Sequence, residues 1–367
     1  MANKNLNQAK NAKKDEFYTQ LVDIENELKH YRAHFKGKTV LCNCDDPRVS
    51  NFFHYFSYNF EPLGLKKLIT TCYKNQNRDL FSQNDSERAI WLEYLGDKNG
   101  DRVPNPEEIG IHYFNGDGDF RSAECIELLK QADIVVTNPP FSLFREYLEM
   151  LVKYEKDFLI IGNVNAVSYK ETFQLIKANK LWLGASIHSG DREFGVPKDY
   201  PLNAAGCRED ENGNKYIRVK GVRWFTNLDY KERHEDLILY KTYNSEEYPT
   251  YDNYNAINVN KTAEIPMDYD GLMGVPITFL DKYNPEQFEI VGLDRYVEDN
   301  PHYGHRFTIL GKETYARILI RRKQPSASVN EICGSSKPAD YADTRRDNLE
   351  TPLPMAAEDP ESYNQNR

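Results

Sequence analysis

A short apolar run, Ile134-Val135-Val136, passes through Thr137-Asn138 and stops at two consecutive prolines, Pro139-Pro140, before Phe141. The run reads as a strand buried in a parallel sheet. Two prolines cannot continue a ladder, because each lacks the N–H and fixes φ. Asn138 and Phe141 are therefore expected at the carboxyl end of a strand, the edge where open α/β sheets bind ligands.

The rest of the first half alternates in the same way. Leu21, Ile24, Leu28 and Tyr31 recur at helical spacing, and Gly37-Lys38 breaks the pattern. Strands are expected over 39–44, 67–73, 111–114, 134–137, 158–162 and 181–184. Helices are expected from about residue 50, where Phe52, Phe53, Tyr55 and Phe56 cluster, and over 123–130, 142–154 and 169–179. Residues 74–110 are polar and read as an insertion with a turn. Such alternation predicts an α/β fold, a doubly wound and mainly parallel sheet.

The pattern changes after Gly184. Residues 216–219 and 222–225 alternate like antiparallel strands around Lys220-Gly221. Residues 243–275 are rich in Tyr and Asn and read as irregular, and 276–323 as a small α+β unit. The expected organisation is a disordered basic arm over 1–14, a catalytic domain over 15–240, a smaller recognition region over 241–323 and a disordered tail over 324–367. No internal repeat is evident.

Hydrophobic residues at 40% and charged residues at 28% suit a soluble globular protein. No apolar run approaches the roughly 20 residues a membrane span needs. The first residues are polar and basic, without the apolar stretch of a signal peptide, so a cytoplasmic location is expected and no membrane partner. Six scattered cysteines do not form a disulfide framework or a metal-ligand spacing, and no metal is expected. The net charge of −10 argues against a non-specific nucleic-acid binder. Its distribution softens that: the arm carries Lys4, Lys10, Lys13 and Lys14 with no acid, while the tail holds eight acids against four bases.

Asn138-Pro139-Pro140-Phe141 suits methylation of a planar nitrogen. An exocyclic amine is a poor nucleophile because its lone pair is delocalised into the ring. The Asn138 side-chain oxygen and a main-chain carbonyl of the proline pair can hold both amine hydrogens and free that lone pair. Phe141 offers a face on which the ring stacks. The same four residues also suit an ordinary strand-end turn with a packed aromatic.

A methyl donor needs a pocket beside Asn138. Asp45 and Asp46 follow the first strand, Tyr73 ends the second, and Asp117, Asp119 and Phe120 follow the third. Carboxylates accept from ribose hydroxyls or a base amine, and aromatics stack on the base. Taken singly, Asp45-Asp46-Pro47 also reads as a helix cap, and Gly116-Asp117-Gly118-Asp119 as a solvated turn. A calcium loop there lacks the spacing and the terminal Glu.

Four blocks resemble the EcoRI-type adenine-specific DNA methyltransferase family. They are Asp15-Glu16-Phe17-Tyr18-Thr19, the stretch 40–53 containing Asn43-Cys44-Asp45-Asp46-Pro47, the run Gly116-Asp117-Gly118-Asp119-Phe120-Arg121-Ser122, and 133–144 around Asn138. The resemblance runs from about 12 to 323. It implies transfer of a methyl group from S-adenosylmethionine to N6 of an adenine flipped out of duplex DNA, inside a Rossmann-like fold. It implies that Asn138, Pro139, Pro140 and Phe141 form the target-base site. Phe17, Tyr18 and Thr19 match the cofactor-contacting motif, and Asp119-Phe120 match the pair that meets the cofactor adenine. With Asn43, Asp45, Tyr73 and Asp117 these make the expected cofactor set. The first-strand loop carries no glycine, unlike most methyltransferases.

The implied partner is double-stranded DNA, read by a monomer. A separate restriction endonuclease acting on the same site is a further implied partner. Lys14, Lys220, Arg223, Arg321 and Arg322 are expected on DNA, with Arg317 and Lys323 as further candidates. The alternative for these cations is a solvated basic face. His188, His234, His302 and His305 read as surface or loop residues. Two other functions use the same motif: methylation of RNA or of protein glutamine, and DNA binding without catalysis. A recognition region after the core favours DNA over a small acceptor, and the intact tetrapeptide argues for catalysis. No nuclease motif and no phosphate-binding Gly-x-x-x-x-Gly-Lys-Ser/Thr motif is present.

Overall fold

The computed structural model describes residues 17–43, 50–72, 89–101, 104–105, 107–188, 190–196, 200, 206–297 and 303–323. Along the chain run β1 (Tyr18–Thr19), α1 (Leu21–Leu28), β2 (Thr39–Cys42), α2 (Asn51–Tyr58), β3 (Lys67–Thr71), β4 (Ile90–Tyr94) and β5 (Ile109–Tyr113). Next come α3 (Ala123–Gln131), β6 (Ile134–Thr137), α4 (Phe144–Lys153), β7 (Asp157–Asn163), α5 (Lys170–Lys177) and β8 (Trp182–Leu183). Strands dominate the remainder: β9 (Asp191–Val196), β10 (Arg208–Glu209), β11 (Lys215–Lys220), β12 (Val222–Thr226), β13 (Thr250–Tyr251) and β14 (Tyr254–Asn258). The last are β15 (Met273–Pro276), β16 (Phe288–Leu293), β17 (Thr308–Ile309), β18 (Lys312–Glu313) and β19 (Arg317–Arg322).

Local chemistry sets the helix starts. The Ser50 hydroxyl accepts from Phe53 N–H and the Ser122 hydroxyl from Cys125 N–H, each using one of the donors a helix leaves unpaired in its first turn.

Among the described residues, eight strands form the main sheet in the order β5-β4-β3-β2-β6-β7-β12-β8. The centre, β3 to β7, is parallel. β4 runs against both β3 and β5, and β12 against both β7 and β8. The fold is α/β, as expected, but the sheet is mixed. Because two reversals cancel, β5 points the same way as the centre. The chain therefore leaves β2, β3, β5, β6 and β7 at one common edge.

Side chains alternate across this sheet. Leu41, Ile69, Val135 and Ile160 face a core with α3, α4 and α5, whereas Val40, Leu68, Ile134 and Ile161 face a second core with α1 and α2. Both faces are covered, which is why the central strands are apolar throughout. Each Leu- or Ile-sized side chain buried this way contributes about 1.5–3 kcal/mol.

The region from 74 to 110 needs correcting. It contains β4, where Ile90, Leu92 and Tyr94 are buried and Trp91 and Glu93 are half-buried. Polar flanks concealed this alternation. Residues 243–275 are likewise not irregular. They supply β13, β14 and β15 to a five-stranded sheet ordered β13-β14-β15-β19-β16. Residues 216–225 also differ from expectation. β11 and β12 do not pair with each other. β11 joins β1, β9 and β10 in a four-stranded sheet, while β12 enters the main sheet. Gly221, at φ +71°, makes the crossing between the two. β1 and β9 had no sequence prediction.

Candidate active site

Asn138 sits just past the end of β6 and is 5% exposed. Its Nδ2 donates to the main-chain oxygen of Phe17 at 2.6 Å. A carbonyl can only accept, so this contact fixes which way the amide faces. Oδ1 is left turned away, buried, and without a hydrogen-bond partner among the described residues. A buried acceptor without a donor costs about 1–3 kcal/mol, and such a cost is commonly met where a ligand completes the bond. Thr137 anchors the strand end by donating from its hydroxyl to the Asn43 carbonyl. Pro139 is buried. The Pro140 carbonyl accepts from Leu143 N–H at 2.9 Å, which starts the turn into α4.

Phe141 packs edge-on against Phe17, with ring centroids 5.6 Å apart, and against Phe194 at 6.3 Å. Phe17 and Phe194 are both buried, while Phe141 is partly open. Phe194 escaped sequence reasoning, since nothing in Asp-Arg-Glu-Phe-Gly-Val marks one aromatic as part of a site. β1 pairs with β9, Thr19 opposite Phe194 and Tyr18 opposite Gly195. That pairing carries Phe17 to Asn138. Asn51 Nδ2 secures the same segment by donating to the Thr19 carbonyl at 2.7 Å. The Thr19 hydroxyl is buried with no partner among the described residues.

The loop after β5 reaches the same edge. Gly118 has φ +77°, and a Cβ there would lie 2.6 Å from the Cys72 carbonyl oxygen, so only glycine lets the loop close against the end of β3. Asp117 accepts from Asp119 N–H at 3.1 Å. Arg121 forks onto Asp119, Nε to Oδ1 at 2.9 Å and Nη2 to Oδ2 at 2.7 Å. These bonds hold the Asp119 carboxyl below the usual carboxylate range. Asp119 is thus a fixed anion already engaged on both oxygens. Phe120 is buried edge-on to Tyr147 at 5.1 Å, and the Tyr147 hydroxyl donates to the Asn43 side-chain oxygen. Asn43 and Phe120 are thereby linked through one tyrosine.

Two of the expected DNA-facing residues are not on the surface. Arg223 is 4% exposed and forks onto Asp281, Nε to Oδ1 at 2.7 Å and Nη2 to Oδ2 at 3.0 Å. It lies in a strand buried along its whole length, so its charge must be paired inside. Burial raises the Asp281 carboxyl, against the lowering effect of Arg223. Arg317 is buried too and donates to Asn258 Oδ1 at 3.1 Å. Lys220 and Arg321 are exposed and Arg322 is partly so, with Glu289 3.8 Å from Arg321. The Lys323 ammonium donates to the Pro285 carbonyl. His188 and His305 are exposed, as expected. His234 has two acidic partners, Asp229 at 2.8 Å and Glu286 at 3.1 Å, that sequence spacing did not suggest. Lys14, Asp45, Tyr73 and His302 lie outside the described residues.

A donor carrying a purine, a ribose and an amino acid needs polar atoms and aromatic faces at one sheet edge. The unpartnered Thr19 hydroxyl, the loop drawn in by Gly118 and buried Phe120 fit such a group. Among the described residues, no group of three or more His, Cys, Asp or Glu is arranged to hold a metal ion. No helix among them is long and apolar enough to cross a membrane.

The family model of the adenine-specific methyltransferase EcoRI matches residues 5–323. The chain belongs to this family. The Type II methyltransferase M.EcoRI of Escherichia coli is 54% identical to it over 324 residues, 88% of this chain and 97% of that protein. The Type II methyltransferase M.MgeORF184P of Mycoplasma genitalium is 40% identical, over 87% of this chain and 99% of its own length. M.MpnI of Mycoplasma pneumoniae, also a Type II methyltransferase, is 38% identical over 87% and 98%. No solved structure matches the chain. The EcoRI-type family assignment and the enzyme class implied by the sequence therefore stand.

Proposed function

We propose that this EcoRI-type methyltransferase transfers a methyl group from S-adenosylmethionine to N6 of a target adenine in duplex DNA. The observation that carries the reading is the Asn138 amide, pinned by Phe17 so that a buried, unpartnered Oδ1 is presented at the sheet edge. S-adenosylmethionine, when bound, supplies an electrophilic methyl group on a sulfonium sulfur.

The chain's own residues do the rest. Asn138 Oδ1 accepts one amine hydrogen. One lone pair of the Pro140 carbonyl is already engaged by Leu143 N–H, so the other hydrogen is assigned to the Pro139 carbonyl. Two acceptors outside the ring plane draw the amine toward a tetrahedral geometry and localise its lone pair. Fixed acceptors of this kind need no reorganisation as charge develops. Phe141, braced by Phe17 and Phe194, stacks on the extrahelical base. Stacking contributes about 1–3 kcal/mol and offsets part of the few kcal/mol that unstacking costs. Phe17, Tyr18, Thr19, Asn43, Asp117, Asp119 and Phe120 hold the donor, the Arg121 fork fixing the Asp119 carboxylate.

The same reading takes the sheet as Rossmann-like, residues 15–240 as catalytic and 241–323 as the recognition region. It takes the enzyme to work as a cytoplasmic monomer on a site that a separate endonuclease also cuts.

The test is nucleoside mass spectrometry on duplex DNA incubated with the purified enzyme and labelled donor. N6-methyladenine that depends on duplex substrate supports the reading. Methyl transfer to RNA or protein in its place overturns it.

A further inference from the structure

The target-base reading uses the loop after β6, and the donor reading uses the ends of β2, β3 and β5. The other neighbour of β6 is β7, and what stands at its carboxyl end has no role in either. There the chain turns through Val164–Ser168 to Tyr169, which precedes α5. Tyr169 is 37% exposed. The Arg145 guanidinium, from the first turn of α4, lies over it with its central carbon 4.5 Å from the ring centroid. Arg145 is exposed and forms no ion pair among the described residues.

The surroundings point the same way. The turn between β11 and β12 is tied to this corner, since Val164 N–H donates to the Gly221 carbonyl at 2.6 Å and Asn163 Nδ2 to the Lys220 carbonyl at 2.9 Å. Exposed Lys220 thus stands at the start of this turn, and exposed Lys170 follows Tyr169 in sequence. Four acids are nearby. Glu146 is held by Arg121 at 2.9 Å. Glu149 and Glu171 are exposed and form no ion pair with Arg145, and Asp191 faces Lys220 across β9 and β11.

A guanidinium whose central carbon lies over a ring leaves the N–H edge turned from the ring free to donate. That edge matches two oxygens of a phosphate. The ring also removes rotamer freedom from a long side chain before any ligand arrives, which lowers the entropy lost on binding.

We infer that Arg145, braced by Tyr169, grips a backbone phosphate flanking the target nucleotide, on the side of the base pocket away from the methyl donor. This rests on the duplex-DNA reading above. Phosphate contacts position a duplex without reading its sequence. A flipped nucleotide has lost the pairing and stacking of the duplex, and a grip on its backbone replaces part of that hold.

The experiment uses the full chain and a duplex that it methylates. Arg145→Ala should raise the DNA Kd about ten-fold or more, the cost of a lost charged hydrogen bond, and lower the salt slope of binding by about one. Affinity for S-adenosylmethionine should not change. Arg145→Lys should keep the salt slope and recover only part of the affinity. Tyr169→Leu should fall between wild type and Arg145→Ala.

A neutral methylphosphonate is then placed at each phosphate around the target in turn. At one position it should weaken wild type and leave Arg145→Ala indifferent. If no position shows that coupling, or if Arg145→Ala binds with unchanged Kd and salt slope while wild type methylates the duplex, the inference is wrong and the function stands. If wild type neither binds nor methylates duplex DNA, the function fails and the inference falls with it.

Discussion

Asn138 and Phe17 are 121 residues apart in sequence and 2.6 Å apart through one hydrogen bond. The bond leaves the Asn138 Nδ2 committed and its Oδ1 open, so a side chain that could point either way has one orientation. Asn138→Ala should therefore lower the single-turnover methylation rate by a hundred-fold or more, about 3 kcal/mol of barrier. Donor affinity by calorimetry should stay within a few-fold. A variant turning over near the wild-type rate would show that the amine is held elsewhere.

Glu27 carries a second prediction, about stability. It is fully buried on α1. Its carboxylate accepts from Ala185 N–H and Ser186 N–H, both at 2.7 Å, from the Ser186 hydroxyl, and from the Tyr31 hydroxyl at 2.9 Å. Glu27→Ala should cost about 3–5 kcal/mol, because removing one partner strands several buried donors at once. Equilibrium urea unfolding measures this. A loss under 1 kcal/mol would mean that water replaces the carboxylate.

Stability should also depend on pH through His234. Its hydrogen bond to Asp229 raises its pKa above the ordinary 6.5, opposed by partial burial and helped by Glu286. A raised folded-state pKa means that the contribution is full below the unfolded value and is lost as pH rises through the folded one. The difference in urea midpoint between wild type and His234→Gln should therefore shrink from pH 6 to pH 8. A constant difference across that range would assign His234 a purely packing role.

Leu310 gives a gain rather than a loss. With Gly311 it forms the two-residue turn between β17 and β18, at φ +49° and +72°. Such turns favour Asn or Gly first, since a branched side chain is strained at positive φ. Leu310 is 89% exposed, so nothing packs in return. Leu310→Asn should raise stability by about 1 kcal/mol, seen as a higher Tm. If Leu310→Ala gives the same rise, the cause is apolar exposure and not backbone strain.

Legibility in the sequence followed how local each constraint was. Asn138 could be placed because two adjacent prolines end a strand by covalent geometry. Ser50 and Ser122 mark helix starts for the same kind of reason. Arg223 misled because a basic residue between apolar neighbours looks amphipathic. It lies in a strand that turned out to be covered on both faces, and its partner Asp281 is remote in sequence. Phe194 and Phe17 meet only through the β1–β9 pairing, which no periodicity announces. Arg145 and Tyr169 sit on separate elements, and no motif or spacing marks either one.

The pairing of β1 with β9 has a consequence for how the enzyme comes into being. Tyr18 lies opposite Gly195, so the segment that orients Asn138 gains its strand partner only once residues 191–196 have been made. A nascent chain stalled earlier would already hold Phe17 and the Asn-Pro-Pro-Phe loop at the end of β6, yet lack the strand that pairs with β1. The aim of the Asn138 amide is thus finished from a strand made well after the loop that carries it.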